Sequence, residues 1–180
     1  YDPNVLDDPD MIQGKHRYVM RGDAFTGPVI SSVILYVNEK DLKDDLNQKF
    51  REKHPQLPQS LTLSKIRKLK KNALLGCSVR GTEISTIAIA FISFELLCLK
   101  GLVTKANRRL SMAVCLLLAV KFNEPLERKR IDAVLDFCDQ QLAIPKKEIF
   151  EAEFGAFVHL NFSLHYPLDH VYLMCSRLLK

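Results

Sequence analysis

Residues 111–125 read SMAVCLLLAVKFNEP, and from Met112 to Val120 no position carries a polar side chain. A helix through this stretch has no face to turn toward water, so other elements must cover it on every side. It must also stop by Pro125, which removes a backbone donor and biases Glu124 away from helical geometry. The run therefore predicts a central helix whose last turn leaves the core through Lys121, Phe122, Asn123 and Glu124.

The neighbouring sequence supplies the cover. SLTLSKIRKLKKNALLGC offers Thr62 or Ser64 as N-cap and a stripe of Ile66, Leu69, Ala73 and Leu74. RGTEISTIAIAFISFELLCLKG has Thr82 as a cap and Gly101 at the expected C′ position. Asn107 caps the central helix. The next helix carries Ile131, Val134, Leu135, Cys138 and Leu142 on one stripe. The fifth opens with Pro145 at its first position and brings Ile149, Phe150, Phe154, Phe157 and Val158, a phenylalanine-rich set expected to enter the core. After SLHYP, LDHVYLMCSRLLK forms a terminal helix. With no strand pattern between 60 and 180, these residues predict an all-α domain of five helices around a buried third, plus a short C-terminal helix. A simple antiparallel four-helix bundle is disfavoured, because it would give every helix a polar face.

Residues 1–59 differ in character and are expected to form an appendage packed on that domain. Pro3, Pro9, Gly14, Gly22, Gly27 and Pro28 forbid a long helix and predict an irregular arm. SSVILYV, at 31–37, is suited to extended packing. EKDLKDDLNQKFREKH places Leu42, Leu46 and Phe50 four apart on a narrow stripe, and HPQLPQS ends that helix.

Composition excludes several classes of function. Lys and Arg number 26 against 21 Asp and Glu, and a net charge of +5 is far below the density of an obligate nucleic-acid binder. Five cysteines with no CxxC pair, four of them in apolar helical runs, argue against both disulfides and a zinc site and for a reducing compartment. His16, His54, His159, His165 and His170 are scattered, with no cysteine or carboxylate at ligand spacing, so neither a metal nor another cofactor is expected. No nucleophile elbow, phosphate loop or close carboxylate pair supports an enzyme. No run of 18 apolar residues and no signal-like N-terminus occurs, so an intracellular, soluble protein is expected. A start at Tyr1 predicts a piece of a longer chain.

A five-helix domain whose buried third helix ends Ala119-Val120-Lys121-Phe122-Asn123-Glu124 resembles the cyclin box. The cyclin fifth helix carries a glutamate ahead of an apolar run ending Leu-x-Phe-x-Leu, and here EFGAFVHLNFSL supplies Glu153, Leu160, Phe162 and Leu164. The resemblance implies that Lys121 and Glu153 bridge two helices and hydrogen-bond to main chain of a kinase's regulatory helix, with Phe122 close to that partner. It also implies a structural ion pair between Arg67 and Glu95. Leu96 departs from the arginine usual at its position, and Ala73 stands where substrate-docking cyclins have a tryptophan. Beyond the box, YDPNVLDDP, GKH, YVNEKDLKDDLNQKFREKHP, LTLSKIRKLK and NRRLSMAVCLLLAVKF are similar to the Cables family, adaptors that link cyclin-dependent kinases to Abl-type tyrosine kinases. Membership implies a single C-terminal cyclin box in a longer protein of the nucleus and cytoplasm that acts in cell division.

Each of these roles has a plainer counterpart. A cation at a helix C-terminus is favoured by the macrodipole by roughly 0.3 to 1 kcal/mol, which by itself accounts for Lys121. An acid in the early turns of a helix accounts for Glu153 in the same way. The basic side chains of KIRKLKK other than Arg67 are expected to form a solvated face. The function these residues imply is a non-catalytic adaptor module that binds cyclin-dependent kinases, and the alternative is a nucleic-acid-binding or purely scaffolding cyclin fold.

Overall fold

The computed structural model of the protein describes residues 1–8 and 39–179, with side chains from residue 43 in the second segment. The extended run expected at 31–37 and most of the N-terminal arm lie outside the described residues, as does the side chain of Leu42 of the predicted stripe. Every regular element among the described residues is a helix: α1 Pro3–Leu6, α2 Glu39–Lys53, α3 Leu63–Ser78, α4 Ile84–Leu99, α5 Arg108–Asn123, α6 Arg128–Phe137, α7 Lys146–His159 and α8 Leu168–Leu178. The chain is all-α, as its periodicity predicts.

The core is built on α4 and α5. In α5 the nine residues from Met112 to Val120 are all buried, and in α4 twelve of sixteen are. The two helices pack extensively against each other. Their direction follows from the end contacts: Asn123 Nδ2 at the close of α5 donates to Ser85 Oγ and Thr86 Oγ1 at the opening of α4, at 3.0 and 2.9 Å. The pair is therefore antiparallel. The central position expected for α5 alone is shared with α4, whose low polarity extends over almost its whole surface.

Around this pair, α8 runs antiparallel to α4: Tyr166, just ahead of α8, hydrogen-bonds Ser93 at 2.8 Å, while Cys175 lies 4.0 Å from the Ile84 carbonyl. Helix α7 packs on α5, and α6 bridges α5 and α3. Helix α2 buries Phe50 and Asn47, with Leu46 half-buried, and Asn47 ties it to Ser64 at the start of α3. The first eight residues hold one helical turn, capped by Asp2 through Asn4 N at 2.8 Å, that sinks Leu6 to 0% exposure.

Helix limits follow local chemistry. Gly101, with φ of +72°, closes α4 where a C′ glycine was expected, while the N-cap falls at Glu83, one residue beyond Thr82. Pro145 is the N-cap of α7, one position earlier than expected. Asn107 occupies the N-cap of α5, but its Oδ1 accepts from Thr104 N at 2.7 Å and stabilises the preceding loop. Helix α6 widens into a π-turn over Cys138–Leu142, which ends at Ala143 with φ of 55°.

The phenylalanine-rich helix corrects an expectation. Ile149 alone is fully buried in α7, whereas Phe150, Phe154 and Val158 are 47%, 70% and 39% exposed. Helix α7 is covered on one side by α5, and the face bearing these side chains has no helix laid over it among the described residues.

Two packing features are open to direct test. At Gly76 an added Cβ would meet the fully buried Phe137 ring at 2.0 to 2.9 Å, so α3 and α6 can approach only because the side chain is missing. Gly76→Ala should destabilise the fold by about 1–3 kcal/mol in a chemical melt. Burial raises the thiols of Cys77 and Cys138 to about 12 and pushes those of Cys98 and Cys115 higher still. All five cysteines are free thiols, and Cys175 alone is only half-buried. A thiol reagent at neutral pH should label Cys175 first and the other four only on unfolding.

Candidate functional site

The ending of α5 resolves into four separate jobs. Val120 closes the buried run, and Asn123 ties α5 to α4 as described above. Glu124 is 7% exposed and accepts from the Glu83 backbone N–H at 3.0 Å and from Arg130 Nη1 at 2.8 Å. Its carboxylate thus sits at the N-terminus of α4, where unpaired N–H groups and the helix dipole favour an anion. Lys121 and Phe122 turn outward.

Lys121 reaches across to α7. Its ammonium donates to both carboxylate oxygens of Glu153, at 2.6 and 2.8 Å, and stands 5.5 Å from the Phe150 ring centroid. Both side chains are partly buried, so the pair is screened less than a surface ion pair. The bridge follows from register: Lys121 lies in the last turn of α5, and Glu153 lies beyond the midpoint of the α7 face that packs there. Phe122 is 41% exposed and packs edge-on against His165, with ring centroids 4.8 Å apart.

Around this bridge lies an apolar groove of about 490 Å³. Leu118 and Leu164 form part of its lining, and Phe154 and Phe157 rise from α7. Phe162 completes it from the loop after α7, 5.5 Å from Phe157 and 6.3 Å from Phe154 by ring centroid. That loop folds back because Asn161 and Phe162 both adopt left-handed backbone, with φ of 57° and 56°. Asn enters that region readily, whereas a phenylalanine there is costly and holds its ring 58% exposed. The groove sets exposed aromatic rings beside a fixed cation and carboxylate.

The expected ion pair between Arg67 and Glu95 does not form. Arg67 donates from Nε and Nη2 to Asp7 Oδ1 at 3.0 and 2.8 Å, holding the N-terminal turn against α3. Glu95, at 0% exposure, is paired with Lys70 and accepts a hydrogen bond from the Tyr1 hydroxyl. The cause is helical register. Lys70 is three residues beyond Arg67, nearly one turn along α3, and its 8% exposure places it over α4 with its ammonium 5.6 Å from the Phe91 ring centroid. Lys70 is therefore not part of the solvated basic face. Burial and the neighbouring Glu95 carboxylate push the Tyr1 hydroxyl pKa well above its usual value. Reasoning from the sequence missed Lys70, Tyr1 and Asp7 as members of this cluster. The signal for Asp7 was present in the acids of YDPNVLDD, but the sequence did not say where that arm would lie.

Among the described residues no cluster of histidine, cysteine and carboxylate is placed to hold a metal ion, and no helix is long and apolar enough to cross a membrane.

These features define an all-α domain with an aromatic, ion-paired groove. No protein-family model and no solved structure matches the chain. Curated relatives do: the chain is 39% identical over its full length to human "CDK5 and ABL1 enzyme substrate 1", of which it spans 28%, and 38% identical to the mouse protein of that name. Mouse "CDK5 and ABL1 enzyme substrate 2" is 37% identical over 95% of the chain, which spans 35% of that protein. Over nearly its whole length the chain is thus homologous to proteins of the Cables family, and it spans about a third of the length of the curated relatives it matches.

The Glu95 cluster carries its own test. Removing Lys70 leaves a carboxylate buried without its cation, so Lys70→Met should cost about 3–5 kcal/mol. Arg67→Met, which leaves only the partly exposed Asp7, should cost about 1 kcal/mol or less. Equal losses in paired denaturant melts would show that Glu95 does not depend on Lys70.

Proposed function

We propose that this chain is a non-catalytic, cyclin-like docking module whose α5–α7 face receives the regulatory helix of a cyclin-dependent kinase. The observation that carries it is the Lys121–Glu153 bridge set beside exposed Phe150, Phe154 and Phe162. A helix laid on this face would bury aromatic rings worth about 25 cal/mol per Å² of apolar surface removed from water. The bridge would supply what apolar burial lacks, which is direction. Glu153 holds Lys121 in one place, and the remaining ammonium proton and carboxylate lone pairs are the donor and acceptors that fix a partner's main chain.

The relatives' names support the choice of partner, since each names CDK5 and ABL1 as enzymes whose substrate it is. In this proposal the domain brings a cyclin-dependent kinase into one assembly with an Abl-type tyrosine kinase and so acts on the control of cell division. Ala73, at the position of the patch tryptophan, makes recruitment through the usual cyclin substrate groove a poor fit, and leaves the α5–α7 face as the docking surface.

Phe154 is 70% exposed, so Phe154→Ala should leave the unfolding free energy within about 0.5 kcal/mol of wild type. The same change should weaken capture of a purified cyclin-dependent kinase by about tenfold or more, as should Lys121→Ala. Isothermal titration against CDK5 measures both. Folded variants that bind as wild type would rule out docking through this face.

A further inference from the structure

A second concavity, of about 320 Å³, lies between α3, α4 and α8 and shares no residue with the α5–α7 groove. Its floor is apolar: Phe91 and Met174 are buried, and Leu74 and Leu178 are half-buried against the core. Its rim is cationic, with Arg67, Lys70 and Lys71 from α3 and Arg177 from α8. Four cations thus face two carboxylates, Asp7 paired with Arg67 and Glu95 paired with Lys70, and two positive charges remain in excess. Lys71 is exposed, and the described partners of Arg177 are the Pro3 and Asp7 carbonyls and the Asn4 side-chain oxygen.

The chain's own first residues show what this rim holds. The segment DPNVLDD, residues 2–8, lies along one edge with its leucine wholly buried. On the rim Arg67 grips the Asp7 carboxylate and Arg177 Nη1 donates to the Pro3 carbonyl at 2.8 Å; outside the groove, at the end of α2, Lys53 pairs with Asp8 at 2.7 Å and the His54 ring nitrogen lies 2.9 Å from the Val5 carbonyl. The elements of recognition are acidic side chains, main-chain carbonyls and one buried leucine. Past Asp7 the same chemistry continues, with cations on the rim over an aliphatic and aromatic floor.

We propose that this groove docks an acidic, leucine-bearing linear segment of a partner protein, seated beside residues 1–8 and anchored by Lys71 and Arg177. Electrostatic complementarity sets the sign of the partner and the floor selects for an aliphatic side chain. A bare phosphate polymer satisfies the rim but leaves the half-buried Leu74 and Leu178 uncovered. Because the two grooves are separate, such a segment binds while the α5–α7 face is engaged, and a protein contacting both gains from effective concentration.

The probe is a fluorescein-labelled peptide, Gly-Asp-Leu-Asp-Asp-Leu-Asp-Gly, titrated by anisotropy with the chain at two salt concentrations. Saturable binding is expected that falls with salt, drops about tenfold or more in Lys71→Glu, and is lost when the aspartates of the peptide are replaced by asparagine. Leu74→Asp should weaken it comparably, and Phe154→Ala should leave it unchanged. If Leu74→Asp unfolds the chain, Lys71→Glu, at an exposed position, decides alone. Absence of saturation, equal binding of the asparagine peptide, an unaltered Lys71→Glu, or equal displacement by oligothymidylate would each overturn the proposal.

Discussion

The described residues are arranged around two antiparallel helices, α4 and α5, whose central turns have almost no polar surface. Burying such a pair demands cover from all directions, and α3, α6, α7 and α8 supply it, with α2 and the first eight residues on the outside. The same constraint leaves few places where a charge can lie. Charges that do enter the core must bring partners with them, and those partners fix how neighbouring helices register.

Glu95 and Glu124 show this at opposite ends of α4. Glu95 is buried in its last two turns and is held by an ammonium from α3 and a phenol from the N-terminus. Glu124 caps its first turn from the end of α5 and is neutralised by Arg130 of α6. Each carboxylate ties α4 to two other segments, so four connections between elements depend on two acids. Apolar packing alone, which is non-directional, would not choose among such alignments.

Helix α7 differs because, among the described residues, its cover is one-sided. Its aromatic residues follow a helical spacing that resembles a core stripe, yet the rings of Phe150 and Phe154 stand out toward solvent beside Lys121 and Glu153. A row of exposed phenylalanines is a cost in a free domain and a source of affinity once a partner covers it. The functional proposal rests on this distinction between aromatic residues that finish the core and those left outside it.

The all-α class, the helix limits and the buried run of α5 were legible from the sequence, because they depend on local chemistry: uninterrupted apolar residues, a glycine after α4, a proline after α5. The meeting of Lys121 with Glu153 was legible only through likeness to a family, since 32 residues separate them and periodicity is silent on distance. Which cation reaches Glu95 was misjudged, because Arg67 and Lys70 are both basic and only their rotation about α3 distinguishes them. The exposure of Phe154 was misjudged for a related reason: a stripe of apolar residues tells which side chains share a face, not whether anything lies over it. The sequence by itself determined which segments become helices and which of these must be buried, since both follow from residue order and water. Only the tertiary structure decided which charges meet and which apolar face is left uncovered, because those depend on how helices distant in sequence are rotated against one another.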